Sequence, residues 1–158
     1  MKCLESLIVA FSMYSKIPMP QITWTKENMK NTLCYFPLIG AVIGALLWLW
    51  YWLCGIAGFG VMLQAAVAVL IPVLVTGGIH LDGFLDTSDA LSSWQERTRR
   101  LEILKDSNTG AFAIIGLGVY LLLYGAAFSE LEFEDVCLLT FIFIGERALS
   151  GLSVVSFP

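Results

Sequence analysis

The sequence predicts an all-α, polytopic transmembrane helix bundle of about four spans, preceded by an N-terminal interfacial helix. Three observations carry this. Hydrophobic residues make up 58 % of the chain and charged residues only 14 %, where an ordinary soluble domain carries about a quarter charged residues. Mean hydropathy is +0.79. From Asn31 to Leu81 there is no Asp, Glu, Lys or Arg, and a spanning helix needs about 20 apolar residues to cross roughly 30 Å of hydrocarbon. That stretch holds two spans and a turn.

In chain order, Leu4, Leu7, Ile8 and Phe11 recur at helical spacing, which predicts a short amphipathic helix lying in the membrane interface. The SKIPMP that follows lacks the small residues of a signal-peptide cleavage site. The first span is expected at about 33–53 and the second at about 59–79, with the glycines of CGIAGFG marking the reversal. A third runs from about 110 to 128, and a fourth starts at Val136, is interrupted by Glu146-Arg147 and meets the end of the chain soon after. With no independent folding signal beyond it, that end reads as a truncation. No internal repeat or low-complexity segment divides the chain. Residues 1–158 therefore read as a single integral membrane domain, with 1–30 an N-terminal segment and 80–109 a polar loop.

Basic residues orient the bundle, because short cytoplasmic loops are enriched in Lys and Arg. Lys2, Lys16, Lys26 and Lys30 precede the first span; Arg97, Arg99, Arg100 and Lys105 fill 80–109; SELEFED, 129–135, has only acids. The N-terminus and the 80–109 loop are thus expected in the cytoplasm. The net charge is −4 and the basic residues are few and separated, which argues against nucleic acid as a partner. Cys3, Cys34, Cys54 and Cys137 show no metal-ligand spacing and read as packing residues.

The chemistry concentrates in GGIHLDGFLDTSDAL, 77–91. On a helix, Asp86 lies about 40° and Asp89 about −20° around the axis from Asp82, so three carboxylates share one face. They repel one another, and must protonate or gather around a cation. A hard divalent ion, Mg²⁺ or Mn²⁺, suits oxygen ligands, and Mg²⁺ keeps positions open for phosphate oxygens. Phosphoryl chemistry is the natural companion. The bland alternative is a solvated helix face; the position directly after a membrane segment, behind Thr76-Gly77-Gly78, counts against it. His80 points away from the aspartate face, and both a hydrogen-bonded helix start and a ligand contact stay open for it.

A second constellation is RLEILKDSNTGAF, 100–112. Lys105 offers a cation, Ser107 a hydroxyl, and Asp106 a further carboxylate for the metal shell. Gly110 stands where the third span begins, and backbone N–H groups at a helix start bind anions. Glu146-Arg147 lies roughly 15 Å into the fourth span, where charge is expensive and usually functional. Adjacent helical residues point about 100° apart, which argues against a mutual ion pair.

These stretches together resemble the cobalamin (5′-phosphate) synthase family, also called adenosylcobinamide-GDP ribazoletransferases. TGGIHLDGFLDTSDAL (76–91) is similar to the family's TGG-x-HLDG-x-x-D-x-x-D. FSMYSKIPMP (11–20) is similar to F-x-x-x-[ST]-R-[IL]-P-x-P, YFPLIGAVIG (35–44) to YFPLVG-x-x-x-G, and RLEILKDSNTGAF (100–112) to R-x-LEIMKDS-x-x-G-x-F. Departures are Lys16 for Arg, Leu104 for Met, Asn108 where Arg is common and Ala90 where Gly often stands. The resemblance implies Mg²⁺-dependent condensation of adenosylcobinamide-GDP with α-ribazole or its 5′-phosphate, releasing GMP, in a prokaryotic inner membrane with the active site facing the cytoplasm. It implies metal ligation by Asp82, Asp86 and Asp89, one of them doubling as base, and phosphate contacts from Lys105, Ser107 and Arg147. His80, Asp106 and Gly110 complete the expected substrate site. The expected partners are those small molecules and the lipid bilayer; a homo-oligomer stays open.

Two other classes share part of this pattern. A CDP-alcohol phosphatidyltransferase carries D-x-x-D-G plus D-x-x-x-D, whereas the order here is D-x-x-x-D-x-x-D with no second pair following. A cation transporter would place carboxylates at the bilayer midplane on broken helices, whereas these follow the span. A structural membrane subunit leaves the two loop motifs unexplained. The orientation is checked with a membrane-impermeant thiol reagent on intact cells. It should reach Cys54 or Cys137, if solvent-exposed, and leave Ser92→Cys unlabelled; labelling of Ser92→Cys from outside would invert the topology.

Overall fold

The computed structural model describes residues 2–106 and 108–157, and among these there are eight α-helices, one 3-10 turn and no strand. The helices are α1 (Lys2–Tyr14), α2 (Lys26–Met29), α3 (Phe36–Ala57), α4 (Val61–Thr76), α5 (Ile79–Ser92), α6 (Arg97–Ile103), α7 (Ala111–Ser129) and α8 (Asp135–Ser156). The 3-10 turn Thr32–Tyr35 runs directly into α3, whose first turn takes Pro37, where a missing N–H costs nothing. Three stretches are long and apolar enough to cross a membrane: Thr32–Ala57, Ala111–Ser129 and Asp135–Ser156. The α4–α5 pair makes a fourth crossing only if its two bent halves count as one span.

The expected second span at 59–79 is corrected by this bend. α4 has 16 residues, about 24 Å at 1.5 Å per residue, short of the hydrocarbon thickness. It stops because Gly77 and Gly78 both take left-handed backbone, at φ 66° and 79°. Their N–H groups donate to the carbonyls of Leu74 at 3.4 Å and Val73 at 2.9 Å, closing the last turn. α5 then departs at 96° to α4. The polar segment 80–109, expected as a loop, is accordingly mostly helix, in α5 and α6.

The tightest packing is between α3 and α8. A Cβ added at Gly40 would strike the backbone of Phe143, and one at Gly44 would strike the side chain of Thr140. Small residues four apart on a span let two backbones approach where a larger side chain would hold them apart. Ile39, Ile43 and Leu47 fill the core beside this seam, and the Tyr51 hydroxyl donates to the Phe128 carbonyl at 2.9 Å, tying α3 to α7. The outward faces of α7 and α8 remain bare and apolar, as at Leu122 and Phe141, which suits helices that face lipid.

α1 buries Ser6, Val9, Ala10 and Phe11, so its inward strip is rotated from the Leu4, Leu7, Ile8 and Phe11 strip that spacing alone selects. Leu4 is 62 % exposed. Docking on α2, α3 and the 3-10 turn decides which face is covered, leaving Leu4 outward while Leu7 packs against the core. The chain after α1 is held by the Lys16 N–H, which donates to the Val75 carbonyl at 2.7 Å. Cys54 is buried and Cys137 exposed, so only the latter thiol is available to a reagent.

Gly40→Leu should break the α3–α8 seam. Overpacking of this kind costs about 1–3 kcal/mol or more, read as a lower melting temperature of the detergent-solubilised protein. Gly55→Ala, where an added Cβ meets nothing within 4 Å, should be neutral or slightly stabilising. Equal melting of the two variants would contradict the seam.

Candidate active site

Asp82, Asp86 and Asp89 all lie on α5, the first two exposed and the third half-buried. They share a face as the spacing requires, but the stretch from Asp82 to Asp89 covers about 10 Å of helix axis. Among the described residues no group of three His, Cys, Asp or Glu is gathered closely enough to hold a metal ion. Neighbouring pairs, i and i+4 or i and i+3, are within reach of one another. None of the three carboxylates has a hydrogen bond or ion pair among the described residues. Two free, adjacent, exposed carboxylates fit Mg²⁺, which binds through one or two carboxylates and leaves its other positions to water and phosphate oxygens.

Each end of this acidic face meets a different part of the chain. At the first end, Asp82 lines a cavity of about 590 Å³ with Ser12, Lys16, Thr76, Gly77 and Gly78. The Lys16 stem lies across Gly77, where any Cβ would collide with it. Lys16 is a site residue that sequence reasoning noted only as a departure from the family pattern; its place in FSMYSKIPMP was the available signal. At the other end, a Cβ on Gly110 would collide with the Asp89 carboxylate. The acidic helix therefore touches the segment that begins α7. Gly110 is the N-cap of α7 and offers no side-chain cap, so a carboxylate at this helix start meets the positive end of the helix dipole.

Lys105 is exposed and its ammonium has no partner among the described residues. Asp106 bonds locally instead of joining the acidic face, its carboxylate accepting the Asn108 backbone N–H at 3.0 Å and side-chain amide at 2.7 Å. Those two bonds hold its carboxyl below the usual carboxylate range. Asn108 thus closes a turn at the position where the family pattern often has Arg. Ser107 lies outside the described residues.

Glu146 and Arg147 do form a mutual pair, against expectation: Arg147 Nη1 lies 3.2 Å from Oε1 and 3.1 Å from Oε2 of Glu146. The long guanidinium stem and the half-exposed glutamate curl toward each other and overcome the angular offset of neighbouring helical positions. Arg147 is itself only 5 % exposed, with its guanidinium carbon 5.5 Å from the Phe36 ring centroid. The His80 ring also lies against Phe36, at 5.7 Å between centroids. His80 and Arg147 line one cavity of about 390 Å³ with Thr76, Tyr120 and Tyr124. His80 lies on α5, just beyond the double-glycine bend that ends α4. Lys105 lines neither of these cavities. The structure therefore groups Arg147 with His80, and the aspartates with Lys16 and Gly110.

The fold and site define a polytopic helical membrane protein with an acidic helix set between a double-glycine bend and the start of the next span. The chain belongs to the cobalamin-5-phosphate synthase family, whose model matches residues 6–158. It is 50 % identical over 157 residues to an adenosylcobinamide-GDP ribazoletransferase of Lachnoclostridium phytofermentans, an alignment covering 99 % of this chain and 60 % of that relative. Relatives with the same name include one from Clostridium perfringens, 36 % identical over 96 % of this chain and 61 % of its own length. Another, from Listeria monocytogenes, is 35 % identical over 88 % of this chain and 56 % of its own length. The chain thus spans about 60 % of the length of the Lachnoclostridium relative. No solved structure matches.

Because the Asp106 carboxyl titrates lower folded than unfolded, the turn it closes is stabilised above the ordinary Asp range and loosens as pH falls through the depressed value. Asn108→Ala removes the side-chain amide bond and keeps the backbone N–H bond, so it should move the Asp106 midpoint part of the way up toward its ordinary value, followed by carboxyl-carbon NMR. An unchanged midpoint would show that the side-chain amide does not hold this carboxylate.

Proposed function

We propose that the chain acts in the condensation of adenosylcobinamide-GDP with α-ribazole or its 5′-phosphate, releasing GMP, at the cytoplasmic face of a prokaryotic inner membrane. The observation that carries this reading is the contact of Asp89 with Gly110, which joins the acidic helix to the Lys105–Gly110 segment. The names of the relatives support the choice of substrates. The acceptor's ribose hydroxyl oxygen bonds to the cobinamide-linked phosphorus, the bond from that phosphorus to the oxygen of GMP breaks in line, and GMP leaves with that oxygen. An α5 carboxylate takes the hydroxyl proton. Lys105 and Lys16, both exposed at the rim, neutralise phosphate charge as it shifts to the leaving group. Asp82, Asp86 and Asp89 would hold Mg²⁺ two at a time, and the ion would supply charge neutralisation and orientation of phosphate oxygens. The bend between α4 and α5 is a feature a cation transporter would also use, but Asp82 and Asp86 stand beyond it on an exposed face.

The test is Mg²⁺-dependent GMP release in nanodiscs. Asp86→Asn keeps the size of the side chain and removes the charge central to the acidic face, so release should be abolished. Lys105→Ala should weaken use of the GDP-bearing substrate about ten- to hundredfold, the worth of one charge-assisted contact, and use of the ribazole much less. Near-parental turnover by Asp86→Asn would overturn the reading.

A further inference from the structure

The cavity between α4, α5, α7 and α8 contains two buried groups that nothing satisfies. Among the described residues, His80 Nε2 and Arg147 Nε are both fully covered and have no hydrogen-bond partner, and both residues line the same space of about 390 Å³. A buried polar atom without a partner is costly, the more so when charged. The guanidinium's one polar partner is Glu146, reached through Nη1 alone, and Glu146 is half-exposed and free to swing outward. Arg147 therefore keeps unused donors, in the planar fork that matches carboxylate and phosphate oxygens. Of the remaining walls, Phe84, Tyr120 and Tyr124 form one aromatic side, the first pair tilted at 5.7 Å and the second stacked at 5.0 Å between centroids, and Val73, Leu81, Leu139 and Ile142 are aliphatic.

This cavity is distinct from the one that Asp82 lines. The aspartate face repels anions unless a cation is present; the His80–Arg147 side has one buried positive charge and no carboxylate besides Glu146. We propose that the His80–Arg147 cavity is an oxyanion subsite that takes a phosphate monoester carried on an aromatic body, with Glu146 as the placeholder that the ligand displaces from Arg147. The oxyanion accepts from Arg147 and His80 while the aromatic body lies against Tyr120 and Tyr124. The depth of Arg147 favours a ligand entering from the rim over a lipid headgroup: it lies twelve residues beyond the start of α8, about 18 Å of helix. This assignment stands on the cavity alone. Its extension, that the ligand is the 5′-phosphate of the acceptor nucleoside, rests on the transfer reading above.

The experiment measures binding of phenyl phosphate to the protein in phosphatidylcholine nanodiscs with EDTA present, by ³¹P line broadening. Parent protein should bind phenyl phosphate, and phenol should not compete for it. Arg147→Met should weaken binding at least tenfold, and Glu146→Gln, a change at a half-exposed position that the fold tolerates, should strengthen it several-fold by removing the competitor. Asp86→Asn should bind as the parent does, which separates this subsite from the acidic face and keeps the result independent of GMP release. Nanodiscs containing phosphatidylglycerol distinguish the source: no competition assigns the site to a soluble phosphate, and competition assigns the same oxyanion site to a lipid headgroup. No binding by the parent, or equal binding by Glu146→Gln and parent, would leave the cavity to ordered water and overturn the proposal. For the extension, α-ribazole 5′-phosphate should bind the parent more tightly than α-ribazole, and lose that advantage in Arg147→Met; equal affinity would remove the nucleoside phosphate as the ligand while leaving the phenyl phosphate result intact.

Discussion

The close approach of α3 to α8 at Gly40 and Gly44 is the constraint on which the rest of the bundle depends. Lipid gives spans no hydrophobic reason to associate with one another, so they hold by packing and by hydrogen bonds. Here the two glycines place the backbone of one helix against Phe143 and Thr140 of the other. That seam sets the depth and rotation of α8, and with them the position of Arg147 over Phe36. It also leaves Ile39, Ile43 and Leu47 as the post around which α1, α4 and α7 gather. The Tyr51 bond to Phe128 then fixes α7 against the same post.

A second device acts near the Phe36 end of the same post. The paired left-handed glycines after Thr76 convert what would be one long helix into a short membrane wall and a transverse helix. Left-handed backbone strains any side chain with a Cβ, and at Gly77 the Lys16 stem would also obstruct one. The bend therefore positions α5 and makes room for a cation beside its first aspartate. Thr76 answers the local need in another way, its hydroxyl donating to the Pro72 carbonyl at 2.8 Å in the turn that ends α4.

α5 has two chemically opposed sides. One carries free carboxylates open to solvent; the other directs His80 into the bundle, toward an arginine held under an aromatic ring. The helix separates a face suited to a hard cation from a cavity suited to an oxyanion. The bend brings both within reach of the same rim.

Much of this was legible in the sequence. The apolar runs located the spans to within a few residues, because the thickness of the bilayer sets a minimum length for each. The three aspartates were placed on one face by the 3.6-residue period alone, and the motif order tied them to the 100–112 stretch. What only the tertiary structure decided were relations between residues far apart in the chain: Lys16 against Gly77, Asp89 against Gly110, and His80 with Arg147 around Phe36. The rotation of α1, set by the elements it docks on, belongs to the same class. Periodicity reports which residues of one helix share a face, a property of the local backbone. Which face meets which neighbour is set by the closest packing that the side chains allow, and here two glycines on α3 and two at the bend decide it.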